Sequence, residues 1–222
     1  MKKEIIEKLR PYQKIFGYDQ KYEWDKIAWK HFSKCDSVLD VGCGEGRFMS
    51  QNPNKVIGID HNRKSLSICE KKGLSVKYAK VTNFPFEDNS FDAVHCSHVI
   101  EHLLPEDAHK LLTEMNRILK KGGIFCLRTP LMHNGFFNDL THIKPYNPEA
   151  VLHYIKINKT KQRTLNDIET QYGLIKLKIR RTQIFPFEVG TPVVLSIIGN
   201  ILSRFGIKSL SKNGYMLILR KR

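Results

Sequence analysis

From residue 37 onward the chain alternates short apolar runs with polar, helix-forming stretches: 37–42, 56–60, 74–79, 91–96 and 123–130 are the apolar runs. Strands separated by helical segments predict a parallel sheet with crossover helices. One helix is expected over 63–72, closed by Gly73. A second is expected over 105–120, with Pro105, Glu106 and Asp107 in its first turn and Lys120 and Lys121 ahead of Gly122 and Gly123. A polar, histidine-rich loop over 131–145 leads to a helix over 147–156, a strand over 174–181 and a last strand over 215–219. Between these two strands lies an insertion, 182–212, in which Val193, Val194, Ile197, Ile198, Ile201, Leu202 and Phe205 recur at helical spacing. Residues 1–34 carry Tyr12, Phe16, Tyr18, Tyr22, Trp24, Trp29 and Phe32, interrupted by Pro11 and Gly17, and read as two short helices.

A chain of 222 residues suits one domain. Its parts are an N-terminal helical cap (1–34), a core (35–155) and C-terminal strands (156–222) interrupted by the 182–212 insertion as a lid. A hydrophobic share of 41% excludes a disordered tail. The five cysteines stand singly in apolar runs, without zinc-site spacing, and read as reduced core residues. The net charge of +15 is uneven: residues 1–150 hold 23 basic and 19 acidic side chains, the rest 14 and 3. A basic last third suits an anionic partner such as nucleic acid, phospholipid headgroup or phosphorylated substrate, the plain alternative being a solvated lysine-rich face. The opening MKKEIIEKLRP lacks the apolar core of a secretory signal, and the longest apolar stretch, 189–202, is too short to cross a bilayer. A cytoplasmic protein is expected, with peripheral membrane contact or an apolar-tail grip through 193–205.

The chemistry concentrates where the first strand breaks into glycines: Asp40-Val41-Gly42-Cys43-Gly44-Glu45-Gly46. Glycines there let the backbone turn tightly and approach a small charged ligand. Asp60 ends the next strand eighteen residues after Gly42, where a carboxylate can accept both hydrogen bonds of a ribose diol. The spacing is G-x-G-x-G, unlike the G-x-G-x-x-G of nicotinamide dinucleotide sites.

With VLDVGCGEG, VIGID, FPFEDNSFDAV, HVIEHL and LKKGGIFCLRTP in order, the sequence resembles the class I S-adenosylmethionine-dependent methyltransferases over residues 36–155. The resemblance implies an α/β, Rossmann-like sheet of seven strands with helices on both faces and the last strand antiparallel, and S-adenosylmethionine as cofactor. It implies cofactor contacts at Asp40, Gly42, Cys43, Gly44, Gly46, Asp60, His61 and Ser97. Relatives often carry Asp-Ala where this chain has Lys80 and Val81, so groups around Val81, with Thr82 or Asn83, are expected at the adenine. His95, His98 and His102 follow the fourth strand, and His133 and His142 the fifth, so both sets should meet at the carboxyl edge of the sheet. A segment resembling the D-x-T-H loop of glycan- and lipid-associated members makes His142 the expected catalytic base, with His133 in reserve. His98, Glu101, His102 and His142 are candidate metal ligands, weakened by a histidine where an acid would suit magnesium. The expected reaction is methyl transfer to oxygen of a small-molecule or lipid- or glycan-linked acceptor. RNA methylation and a cofactor-binding scaffold without turnover are the alternatives.

Overall fold

The computed structural model describes residues 20–155, 172–181 and 193–222. Helix α1 (Gln20–His31) precedes β1 (Val38–Val41), a single 3-10 turn (Met49–Gln51) and β2 (Val56–Asp60). Then come α2 (Arg63–Lys71), β3 (Val76–Tyr78), β4 (Phe91–Ser97), a 3-10 turn (Ile100–His102), α3 (Pro105–Ile118) and β5 (Leu119–Pro130). The chain continues through α4 (Pro148–Tyr154), β6 (Tyr172–Arg181), α5 (Val193–Arg204) and β7 (Lys212–Lys221). The strands form one sheet in the order β3-β2-β1-β4-β5-β7-β6. Only β7 opposes its neighbours, pairing antiparallel with both β5 and β6.

Alternation along the central strands sends side chains to two apolar layers. Phe125, Leu127, Tyr215, Leu217 and Leu219 join Leu111, Met115 and Ile118 of α3 and Val151 of α4. Ile124, Cys126, Met216 and Ile218 face the other way, toward Trp24, Ala28 and Phe32 of α1 and Leu66 and Cys69 of α2. All five cysteines are free and buried. The expected layered α/β architecture is therefore observed, with helices on both faces.

Several boundaries differ from expectation. The expected helix over 105–120 ends at Ile118, because Leu119 already pairs with Phe91 of β4, and β5 opens four residues earlier than its apolar run. The last strand is twice as long as its apolar centre, since backbone pairing to β6 continues to Lys212 and Lys221. The described part of the aromatic preface, 20–34, holds α1; Tyr12 and Tyr18 lie outside the described residues, as does 182–192 of the insertion. Trp24 is buried in the apolar layer on the sheet's α1 face. Helix α5 forms as expected, with Ile198 and Ile201 exposed. Among the described residues no helix is long and apolar enough to cross a membrane.

Candidate active site

The turn after β1 is shaped by three glycines with positive φ, 68° at Gly42, 52° at Gly44 and 79° at Gly46. At Gly42 the absent side chain is also required by space, since a Cβ there would collide with Val99. Asp60 closes the turn from β2: its carboxylate accepts from the Gly44 amide at 2.9 Å and the Asn62 amide at 2.8 Å. His61 stands beside it, Nδ1 3.6 Å from Oδ1. Asp40 is buried, and its Oδ1 lies 2.7 Å from Nδ1 of the buried His95, whose ring stacks on Phe48 at 3.8 Å. Burial pushes the Cys43 and Cys69 thiols up, leaving them as neutral packing groups around this turn.

Two cavities meet at this edge of the sheet. The larger, about 630 Å³, is walled by Gly42, Asp60, His61, Val81, Thr82 and Tyr78 at one end and by His98, His102, Leu103 and Thr141 at the other. The smaller, about 320 Å³, lies among Asp40, Cys43, Arg47, His95, Ser97, Arg128 and Arg180. Gly42 and His98 line both. Gly44 and Gly46 line neither; they set the course of the turn. Asn83 faces away, into a shallow depression with Pro85. Val81 and Thr82 line the larger cavity, and Tyr78, with Arg63 over its ring at 4.2 Å, adds a flat wall that motif reading missed.

The two histidine-bearing segments do converge. Amides of Ile143 and Lys144 donate to the Glu101 carbonyl at 2.8 and 3.3 Å, binding the loop after β5 to the turn after β4. His142 Nδ1 donates to the Phe136 carbonyl at 2.6 Å, and its ring stands 4.8 Å from that of His102. His142 does not line either cavity, and neither does His133, whose Nδ1 accepts from the Gly135 amide at 3.1 Å. His98, on the turn after β4, lines both cavities. Its Nδ1 lies 3.0 Å from Oε1 of Glu101, whose carboxylate is wholly buried and accepts at Oε2 from the Thr129 hydroxyl at 2.9 Å. With Nδ1–H donated to Glu101, the lone pair sits on Nε2. Burial lowers the His98 pKa below the ordinary 6.5, against the opposing pull of Glu101, so the ring is neutral near pH 7.

Glu101, His102 and His142 bring ligand atoms within 4.8 Å of one another, without His98. Both oxygens of Glu101 are already engaged, by His98 and Thr129, and His102 Nδ1 bonds Thr141 at 2.9 Å. Through Thr129 and Thr141, Glu101 and His102 tie the turn after β4 to β5 and to the loop beyond it.

The methyltransferase domain family matches residues 39–127, the stretch that contains the glycine turn, Asp60 and the His98–Glu101 pair. Over those residues the chain is similar to that methyltransferase domain family. A tRNA (carboxymethyluridine(34)-5-O)-methyltransferase of Arabidopsis thaliana is 32% identical over 105 residues, 46% of this chain and 26% of that protein. A demethylmenaquinone methyltransferase of Staphylococcus aureus is 33% identical over 129 residues, 52% of this chain and 53% of its own length. The chain thus spans about half or less of these curated relatives. A solved S-adenosylmethionine-dependent methyltransferase from Archaeoglobus fulgidus shares the fold, with a TM-score of 0.61 at 22% identity over 95% of this chain and 98% of that one. Gly42 on the wall of both cavities and the carboxylate of Asp60 on the larger one fit the nucleoside cofactor of this family.

Proposed function

We propose that this protein transfers the methyl group of S-adenosylmethionine to an oxygen of a small-molecule or lipid- or glycan-linked acceptor, with His98 as general base. The observation that carries the reading is the neutral His98 ring, held by a buried carboxylate at the junction of the two cavities. When bound, the cofactor supplies an electrophilic methyl group on a sulfonium, open to in-line displacement. Asp60 accepts from the ribose hydroxyls, Val81, Thr82 and Tyr78 flank the base, and Asp40 keeps Oδ2 for the ammonium of the methionine moiety. His95 fixes the orientation of Asp40. His98 Nε2 takes the proton of the acceptor hydroxyl, and Glu101 steadies the charge that the ring gains. Such a base contributes about 10²–10⁴-fold, while alignment of the reacting groups supplies most of the remaining rate.

Isothermal calorimetry with S-adenosylhomocysteine tests the cofactor assignment. Binding to the wild type and an affinity about tenfold or more weaker in Asp60→Asn are expected, from the loss of charge-assisted hydrogen bonds. No heat with the nucleoside, alongside binding of a nicotinamide dinucleotide, would overturn it. RNA methylation is the second reading, favoured by the tRNA-directed Arabidopsis relative and by the basic last third of the chain. It requires RNA binding that weakens steeply with salt.

A further inference from the structure

Arg128 sits near the end of β5, in the row that begins with Ile124 and Cys126 and faces α1. It is 2% exposed, yet neither Nη1 nor Nη2 makes a hydrogen bond. Its neighbours are the Trp24 ring, 5.3 Å from Cζ, and Asp25, 3.9 Å from Nη1. Asp25 is already engaged, by the Arg47 guanidinium and by Gln51 at 3.1 Å. Burying a guanidinium without its hydrogen bonds is costly, so a site that retains one is built for a partner that arrives later. The group lines the smaller cavity, and Arg180 of β6 lines it from the far side. The two cations are close enough that Arg180, after burial, is the next largest influence depressing the Arg128 pKa. The carboxylates on the wall do not answer the charge of Arg128: Asp40 is paired with His95, and Glu45 is exposed.

Sheet order indicates whose anion belongs there. The ribose acid, Asp60, is on β2; β5 lies three strands away and β6 five, in the order β2-β1-β4-β5-β7-β6. At about 4.8 Å per strand, Arg128 and Arg180 are rooted roughly 14 and 24 Å from the ribose position. The four-carbon amino acid arm of the cofactor starts at that ribose and is anchored by Asp40 on β1, two strands short of Arg128 and four short of Arg180.

We propose that this cavity binds an anionic group, a carboxylate or a phosphate, carried by the methyl acceptor, and that Arg128 and Arg180 are its specificity-determining contacts. The inference rests on the methyltransferase reading and narrows its substrate class to an acceptor with a negative charge close to the methylated oxygen. Bidentate guanidinium contacts suit either anion.

Wild-type protein saturated with S-adenosylhomocysteine is titrated with inorganic phosphate and, separately, with acetate, reading heat and melting temperature. Binding of at least one anion is expected in the wild type, weakened about tenfold or more in Arg180→Gln and Arg128→Met, as for loss of a charged hydrogen-bond partner. Affinity for S-adenosylhomocysteine should stay within about threefold of wild type in both variants. Arg180 is on the exposed edge strand, so its replacement leaves the core intact if Arg128→Met does not fold. Three results would overturn the proposal: neither anion binding the loaded wild type, anion binding unchanged in Arg180→Gln, or a parallel loss of cofactor affinity in the variants. The last would assign the arginines to the cofactor's own carboxylate. Failure of the wild type to bind S-adenosylhomocysteine would instead sink the methyltransferase reading, and the same anion titrations on unloaded protein would then still decide the role of the arginines.

Discussion

His98 adopts φ 59°, a left-handed backbone conformation that a side chain with a Cβ enters only where its surroundings enforce it. Here the enforcement is visible: its amide donates to the Arg128 carbonyl at 2.9 Å while the ring is tethered to Glu101. Replacing His98 by Asn, which tolerates this conformation, should lower kcat by about 10²–10⁴-fold while leaving S-adenosylhomocysteine binding near wild type. The charged groups facing the ring are Glu101 on its own turn, Arg128 on β5 and Arg180 on β6. Burial and the two arginines hold its pKa below 6.5, so activity should fall on acidification only at a pH below the ordinary histidine value. A kcat–pH profile whose acidic limb sits at or above that value would contradict this role. The glycine turn makes an independent demand. Gly42→Ala meets both the positive φ and Val99, and should lower stability by about 1–3 kcal/mol in urea titrations. Adding Val99→Ala should recover the steric part and leave the backbone part, so the double variant should lie between Gly42→Ala and wild type.

At the scale of elements, the alternation of apolar runs made the strands legible, because a buried parallel strand writes its pattern locally. What escaped depends on partners distant in sequence. Leu119 to Lys121 extend β5 because β4 pairs with Leu119, and Asp92 supplies the supporting node that no motif announces. Its carboxylate accepts from the amides of Asp36 and Ser37 at 3.1 and 3.0 Å, from the Ser37 hydroxyl at 2.9 Å and from Lys120 at 2.7 Å. One side chain therefore fastens the starts of β1, β4 and β5. Burial raises its pKa, but these hydrogen bonds outweigh burial and hold it well below 3.8. A depressed carboxylate stabilises the fold above its unfolded pKa and loses that contribution as pH falls from there through the folded value. Asp92→Asn should consequently cost about 1–3 kcal/mol near pH 7 in urea unfolding. The gap to wild type should narrow as the pH drops below 3.8. A gap independent of pH would show that shape, and not charge, makes the node.

For the molecule as a whole, the uneven charge read from the sequence has a structural address. Lys176, Lys178 and Arg180 of β6 fall opposite Ile218, Met216 and Gly214, on the α1 face of the sheet shared by Arg128. The excess of basic residues in the last third was legible as composition. Its meeting with Arg128 was not, because β7 inserts between β5 and β6, and only the folded order brings the two arginines to one cavity. The histidines show the same limit: the sequence supplied all the candidates, but which ring lines the cavity depends on the loop bonded to Glu101. The anion site also sets a stability cost against function, since burial, followed by repulsion from Arg180, brings the Arg128 pKa from 12.5 down to about 10. Replacing a buried charge that lacks hydrogen-bond partners by an apolar side chain of similar length is neutral or stabilising by about 1–4 kcal/mol. Asp25 keeps Arg47 and Gln51 in such a variant, so no new unpaired carboxylate is created. Arg128→Met should therefore melt at the same temperature as wild type or higher, by about 2–4 °C for each kcal/mol gained. Anion at a fixed concentration should raise the melting temperature of wild type more than that of the variant. A variant that melts lower without any ligand would mean that Trp24 and Asp25 already satisfy the guanidinium, and that Arg128 belongs to the core more than to the site.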